Sequence, residues 1–391
     1  MYRNTRFAEI LKGLSKGSIE RIASVHKADK FNKGFDFWDH LIAMLYNQLS
    51  GCRSLRELEN SFNDQQSHHY HLNTHEIKRS TLSDANSNRN PQPFAELVSQ
   101  LMQVAHRKLR KEIKQFLYVI DSSPIQLRGL GYDDWTLSNR TRKNQGLKLH
   151  LQYDLKKQLP VYINLTAPTI NDCVDARRIQ IEKNATYIVD KGYCDYSWWY
   201  KINQSDAYFV TRLKRNAAFA VDESLDILAD DQCLIQADEI FHLTNTHPGA
   251  KRRNPYANKP LRRVTVYRDD DKDPLILVTN DMDRSAREIA DLYKERWSIE
   301  LFFKWLKQNL KIKRFLGRSK NSVMIQIYTA IIAYLLLAIH KAKQQIATPL
   351  YQLLATIRTS IFARIETEDY LFRKQREHRQ MLRRLQPELT F

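Results

Sequence analysis

Apolar residues in the first hundred positions recur with helical spacing. Phe7, Ile10, Leu11 and Leu14 share one face of a 3.6-residue period, and residues 37–49 form a second apolar-periodic segment. Ser54 and Glu57 make a capping-box pair opening SLRELENSF, and Thr81 with Asp84 could open another short helix through LSDANSNR. From Phe116 the texture changes. FLYVI is a short β-branched and aromatic run ending at Asp121, the pattern of a buried central strand. LKLHLQY at 147–153 alternates with period two, as do parts of 161–166, and the short KKQLP connection predicts an antiparallel hairpin. A helical stretch is expected around 172–183. Residues 187–189 form another apolar run ending in an acid, Asp190, and AYFVT at 207–211 reads as a fifth strand.

Residues 212–272 break that order with short β-like pieces, QCLIQADEIFHL and RRVTVYR, around a basic loop, HPGAKRRNPYANKPLRR. PLILVT at 274–279 returns to core-strand composition. A strong helix is predicted from Ser285, with Glu288 completing its capping box, to about residue 310, and helical sequence continues to FRKQREHRQMLRRL. Strand, strand, strand, helix, strand, helix, strand is the order of the ribonuclease H-like fold, with acids at the ends of the first and fourth strands. The expected class is therefore α/β: a ribonuclease H-like mixed-sheet catalytic core with an inserted β-rich subdomain, an all-helical N-terminal DNA-binding domain and a helical C-terminal region. The boundaries read as 1–110 for the N-terminal domain, 111–211 and 273–317 for the two parts of the core, and 212–272 for the insertion. Residues 318–391 form the C-terminal region, for dimerisation or DNA contact.

At 391 residues, two or three domains are the prior, and 42% hydrophobic content excludes general disorder. The formal charge of +18 favours a polyanionic partner, since each phosphate neutralised by Lys or Arg releases counterions; a basic charge alone also suits acidic membranes or ribosomes. Cysteines at 52, 173, 194 and 233 form no CxxC pair, which argues against a zinc ribbon or disulfide framework and suits a reducing cytoplasm. MYRNTRFAEILKGL lacks the apolar core of a signal peptide. The apolar stretch 323–339 carries Gln326 and two tyrosines and reads as a buried core helix, so no membrane is expected.

Two short helices rich in small polar residues suggest a helix-turn-helix variant that presents Arg79, Ser80, Thr81, Ser83, Asn86 and Arg89 to DNA. The intervening segment is long for that motif, and a helical bundle with no groove-reading helix is the competing reading. His68, His69, His71 and His75 lack a suitably spaced Cys or acid, so a polar loop is favoured over a metal site. Lys251, Arg252 and Arg253, with Arg262 and Arg263, either track a DNA backbone or are simply solvated. Lys148, His150 and Asp172 fit ordinary polar positions as well as catalytic ones.

The helix from Ser285 is the most informative segment. Tyr293, Arg296, Glu300, Phe303 and Lys307 are spaced three, four, three, four and fall on one stripe, beside apolar Ile289, Leu292, Ile299, Phe302 and Leu306. An exposed ion-pair ladder, Arg296–Glu300–Lys304, is the bland alternative; it leaves Tyr293, Lys307 and the two upstream acids unexplained. Tyr293-x2-Arg296-x3-Glu300-x6-Lys307 resembles the YREK motif of insertion-sequence transposases, specifically insertion-sequence family four. YVIDSS at Asp121 and YIVDKGYCD at Asp190 resemble that family's first and second acid motifs, in the same order and spacing.

The resemblance implies a DDE transposase in which Asp121, Asp190 and Glu300 bind catalytic metal, with Asp121 shared by two Mg2+ ions and Mn2+ able to substitute. Two metals about 3.5–4 Å apart can activate a nucleophile and stabilise a leaving oxygen, and Mg2+ prefers oxygen ligands. Arg296 and Lys307 would hold phosphates, and Tyr293 would contact the cleaved strand. Partners are double-stranded DNA, at the element ends and the target, and a second copy of the chain in a synaptic homodimer. Relatives pass through a DNA hairpin and flip a base onto a tryptophan of the insertion. Here residues 212–272 contain none, leaving Phe219, Phe241, Tyr256, Tyr267, Trp198 or Trp199 as stand-ins. A non-catalytic DNA-binding regulator and a nuclease acting on branched nucleic acid are the rival classes.

Overall fold

The computed structural model describes residues 5–30, 34–108, 116–247, 253–268, 273–310, 312 and 314–363. The chain divides into two compact units, one of residues 1–97 with 325–391 and the other of residues 98–324.

The N-terminal part is helical: α1 (Arg6–Leu11), α2 (Lys16–Val25), α3 (Phe37–Ser50), α4 (Leu55–Asn63), α5 (Gln66–Leu72), α6 (Arg79–Asn88) and α7 (Gln92–Lys108). Helix α3 is the centre of the first unit. A capping box of Asp36 and Asp39 starts it, Gly51 in the left-handed conformation (φ +85°) stops it, and it is buried on nearly every side. Polar groups inside are paired, as when His40 Nε2 meets Asn86 Oδ1 at 2.9 Å. Burial lowers the His40 pKa to about 3, so its ring is neutral.

Two expectations change here. The segment between α4 and α6 is not a long turn, because α5 occupies it. Helix α6 also begins two residues before Thr81, with Lys78 at its N-cap and no side-chain cap. The histidines lie in and around α5; His69 is buried, stacks on Phe62 and meets the Phe62 carbonyl at 3.0 Å.

The second unit is built on one nine-stranded mixed sheet. Its strands are β1 (Phe116–Gln126), β2 (Gly146–Asp154), β3 (Leu159–Thr166), β4 (Ala185–Val189), β5 (Tyr208–Arg212), β6 (Phe219–Ser224), β7 (Ile235–Leu243), β8 (Pro260–Val266) and β9 (Leu275–Thr279). They lie in the order β3-β2-β1-β4-β5-β9-β8-β7-β6. β1, β4 and β5 run parallel, and the other neighbours pair antiparallel. The hairpin of β2 and β3 forms as its alternation predicts. Helices α8 (Asp133–Thr136), α9 (Asp172–Ala176), α10 (Tyr196–Gln204), α11 (Ala286–Lys294) and α12 (Trp297–Asn309) belong to this unit. Trp198, Trp199, Tyr187, Phe209, Phe241 and Tyr256 share one buried apolar cluster.

Four sequence expectations are corrected in this unit. Strand β1 does not end at Asp121; it runs on to Gln126, paired with β2 alone once the β4 ladder stops at Ile120. That open edge tolerates Pro124, which has no N–H to offer a neighbour. The helix expected over 172–183 is only α9, since the chain turns so that Ile179 enters the core before β4. The helix from Ser285 keeps its capping box but breaks into α11 and α12, where the 295–298 backbone tightens into i→i+3 bonds. Finally, β6, β7 and β8 of the 212–272 segment extend the main sheet instead of forming a separate one.

Helix α13 (Lys320–Lys343) contains the apolar stretch, and α14 (Leu350–Thr359) follows it. α13 is long and apolar enough to cross a membrane, but 89% of its most apolar window is buried inside the protein. In the first unit, α14 packs on α3, and Gln48 Nε2 donates to the Gln326 carbonyl at 3.1 Å. The basic sequence 372–385 lies outside the described residues.

Candidate active site

β1 and β4 are buried parallel strands whose last paired residues are Ile120 and Val189. The next residue on each strand is an acid, so Asp121 and Asp190 stand side by side where β4 gives way to a short 3-10 turn at Lys191–Tyr193. This is a point where strand order reverses, with β2 and β3 to one side of β1 and β4 and β5 to the other. Ligands of open α/β sheets collect at such points, outside the carboxyl ends of the strands.

Helix α12 packs on β1 and brings Glu300 to the same place. Arg296, in the tight link before α12, joins the acids. Its Nη2 lies 2.7 Å from Glu300 Oε1 and its Nη1 4.0 Å from Asp121 Oδ2. Tyr293 on α11 donates from its hydroxyl to Asp190 Oδ1 at 3.5 Å, and the Arg296 guanidinium lies 5.9 Å from its ring centre. One turn beyond Phe303, Lys307 donates to Ser123 Oγ of β1 at 2.6 Å. The break between the helices therefore leaves Tyr293, Arg296, Glu300 and Lys307 facing one end of the sheet.

Asp121 is held by the Ser122 N–H, which donates to Oδ1 at 2.7 Å. Burial pushes its carboxyl up to about 6. Asp190 and Glu300 push the same way, while the Ser122 amide and Arg296 oppose them. Burial also pushes the Tyr293 hydroxyl up to about 12, with Asp190 adding to the effect. Burial, more than the neighbouring carboxylates, is what disfavours the charged form at both groups.

Among the described residues, no three His, Cys, Asp or Glu side chains are gathered closely enough to hold a metal ion as they stand. Arg296 lies between Asp121 and Glu300 instead. The donors themselves, three half-buried carboxylates, fit a hard divalent cation in kind, and added positive charge would favour the ionised form of Asp121.

A second polar group adjoins the acids through Ser122, which the sequence reading overlooked. Its Oγ donates to Asp172 Oδ1 at 2.8 Å, and Lys148 Nζ donates to the same oxygen at 3.1 Å. His150 is buried, with Nε2 2.8 Å from Thr166 Oγ1 and Nδ1 3.6 Å from Asp172. Burial lowers its pKa.

Other expected DNA contacts are scattered. Arg79, Ser80 and Thr81 are exposed and Ser83 is half-buried. Asn86 is buried against His40, and Arg89 donates to the Asp36 and Phe35 carbonyls, so neither faces outward as expected. Lys251 and Arg252 lie outside the described residues. Arg253 is exposed and lines a groove of about 650 Å³ with Arg177 and Lys214. Arg262 and Arg263 do not track a surface. The first grips buried Asp238 through two bonds of 2.8 and 2.6 Å, and the second pairs with Glu239 at 2.7 Å while covering the Phe219 ring.

Of the aromatic stand-ins, Trp198, Trp199, Phe241 and Tyr256 are fully buried and cannot offer a face to a base; Tyr267 is 40% exposed. Trp297 was not singled out from sequence. It is 58% exposed at the start of α12, one turn from Glu300. Its place directly after Arg296 was the available signal.

Residues 114–336, more than half of the chain, match the family model for a transposase DDE domain, and residues 2–74 match a domain of unknown function (DUF4372). The chain is 39% identical over 285 residues to y4zB of Sinorhizobium fredii, a protein named as a transposase, covering 72% of this chain and 77% of that one. It is 27% identical over 255 residues to the transposase named for element IS5377 of Geobacillus stearothermophilus (62% and 61% covered). It is also 27% identical over 274 residues to that of IS4SA of Synechocystis (66% and 70%). A piggyBac transposase synaptic complex with hairpin DNA superposes at a TM-score of 0.44 and 10% identity, over 98% of this chain and 84% of that one, a likeness too weak to bear on function. The chain belongs to the DDE transposases of insertion sequences, enzymes that cleave DNA and transfer its strands.

Proposed function

We propose that the protein binds the terminal inverted repeats of its insertion sequence and carries out cut-and-paste transposition, with Asp121, Asp190 and Glu300 as the metal-binding carboxylates of a ribonuclease H-like core. The observation that carries this reading is the pairing of Asp121 and Asp190 as the first residues beyond a parallel ladder, with Glu300 joined to Asp121 by one guanidinium. The order β3-β2-β1-β4-β5, with its antiparallel hairpin and parallel centre, supports the core assignment.

DDE transposases use divalent metal ions, and Asp121, Asp190 and Glu300 would hold a pair of Mg2+ ions, or Mn2+ in their place. When bound, the metal supplies the charge that activates an attacking hydroxyl and steadies the leaving oxygen. The chain's own groups do the rest. Arg296 exchanges its carboxylates for a phosphate, gripping it in bidentate fashion and freeing Glu300 and Asp121. Lys307, on the next turns of the same helix, places a point charge along the strand beside Ser123. Tyr293 orients Asp190 through its hydroxyl and meets the cleaved strand.

The exposed residues Arg79, Ser80 and Thr81, with Ser83, belong to a helical N-terminal region that binds the element ends. A homodimer brings two ends together, and the protein works on DNA in the cytoplasm. A hairpin intermediate would need an aromatic face for the displaced base, and exposed Trp297, one turn from Glu300, offers one.

The test is cleavage of supercoiled plasmid carrying the element's ends, with Mg2+ or Mn2+. Asp121→Asn, Asp190→Asn and Glu300→Gln should each abolish cutting while end binding persists. Near-normal cutting by any of the three would remove that residue from the set, and specific binding by the wild type without metal-dependent cutting would mark a regulator.

A further inference from the structure

We infer that the connection between β1 and β2 is a DNA-docking element that grips duplex about five base pairs from the cleaved phosphate; this deepens the reading of the protein as a DNA-cutting enzyme and rests on it. β1 carries Asp121 and continues for five residues to Gln126, where the chain leaves the sheet and returns at Gly146. At about 3.3 Å per residue those five residues span about 17 Å. Along a duplex whose axis follows β1, that is the rise of about five base pairs, at about 3.4 Å each.

The connection is basic at its surface and apolar at its tip. Arg128, Arg140, Arg142 and Lys143 are all exposed, and none of them forms an ion pair among the described residues. Arg128 donates to the Lys143 carbonyl at 3.2 Å, which keeps the two limbs of the loop together. Of the two acids in the loop, Asp133 is turned inward, accepting from the Gly129 N–H at 2.9 Å and from Gln145 Nε2 at 2.6 Å, and Asp134 stays exposed. Charge at the outer rim is therefore positive.

The tip residue, Leu130, is 86% exposed, and Leu137 is 44% exposed. Leu130 is not on a loose strand. Gly129 and Gly131 on either side hold positive φ angles of +93° and +79°, and Arg318 donates to the Leu130 carbonyl at 3.1 Å. Trp135 Nε1 donates in turn to the Arg318 carbonyl at 3.0 Å. A β-carbon on Gly131 would meet the Arg318 side chain at 3.0 Å, so the turn is closely fitted. An apolar side chain fixed in water among cations matches a duplex better than a protein surface. Lys and Arg neutralise the flanking phosphates while an apolar wedge enters the groove and loosens a base step.

The experiment measures equilibrium binding of a fluorescein-labelled duplex of about three helical turns across a salt series. It compares the wild type, Arg140→Gln/Arg142→Gln/Lys143→Gln, Leu130→Ala and Asp121→Asn, all in the full-length chain. At about 0.9 in the slope of log K against log salt per phosphate contact, losing three contacts lowers the slope by about 2.7. Across a fourfold change in salt, the triple variant's affinity should fall on the order of 40-fold less than the wild type's. Asp121→Asn should keep the full slope. A duplex with 2-aminopurine near the fifth base pair from the cleaved position should brighten on wild-type binding and stay dim with Leu130→Ala.

An unchanged slope in the triple variant, with wild-type cutting and binding intact, overturns the docking element alone. Loss of self-association by Leu130→Ala, with the 2-aminopurine signal and the triple variant's slope both as in the wild type, would likewise overturn it and assign the loop to a second copy of the chain. Absence of any DNA binding or cutting by the wild type would overturn the functional reading itself.

Discussion

Replacing Asp121 by Asn should stabilise the protein while destroying its activity, and the gain should depend on pH. The Asp121 carboxyl rises from an ordinary 3.8 to about 6, first because of burial and then because of Asp190 and Glu300. A rise of that size corresponds to about 3 kcal/mol against the ionised form in the fold. The side chain is 22% exposed, so solvent screens little of it. Because the folded carboxyl holds its proton more firmly than the unfolded one, the associated stability is present below about pH 4. It is lost as pH rises through about 6.

Wild type above neutrality therefore carries the full cost and the Asn variant does not. Thermal unfolding should place the Asn variant several degrees higher near pH 7.5, at roughly 2–4 °C per kcal/mol, with the gap about a third as large near pH 4.5. Magnesium should raise the wild-type Tm and leave that of the variant nearly unmoved. A gap that is absent, reversed or equal at both pH values would refute the electrostatic account of the site.

Other outcomes follow from the same geometry. Arg296→Lys keeps the charge but loses the planar fork, so cutting rates should drop on the order of tenfold or more while end-binding affinity changes little, as single-turnover cleavage and anisotropy would show. Asp238→Ala removes the carboxylate paired with buried Arg262 and should cost about 3–5 kcal/mol in denaturant unfolding, and unchanged stability would contradict the buried pair. His40 is neutral in the fold with a pKa near 3 against an ordinary 6.5. The first unit should accordingly lose up to about 1.4 kcal/mol per pH unit as pH falls below 6.5, and His40→Gln should flatten that slope in acid unfolding.

The acids at 121 and 190 were legible because buried parallel strands write themselves as continuous apolar runs, and a carboxylate closing such a run stands out. The hairpin of β2 and β3 was equally plain from its alternation. The extension of β1 beyond Asp121 was hidden, since Ser122, Ser123 and Pro124 look like a breaker and only pairing with β2 makes them a strand. No Gly or Pro marks the break at 295–298, so an unbroken helix was the natural reading. Arg262 and Arg263 looked available because their partners Asp238 and Glu239 sit on the neighbouring strand, at a register that local sequence does not reveal. Asn86 and Arg89 misled for a related reason: a short polar helix gives little sign of which face turns inward.

The most direct test of the three-carboxylate centre is anomalous scattering from Mn2+ in crystals of the protein bound to element-end DNA. Ions coordinated by Asp121, Asp190 and Glu300 at roughly the 2.0–2.1 Å of Mg2+–oxygen bonds are expected, with Arg296 moved from the carboxylates to a DNA phosphate. Manganese bound elsewhere, or a metal shell that leaves out any one of the three acids, would contradict that centre.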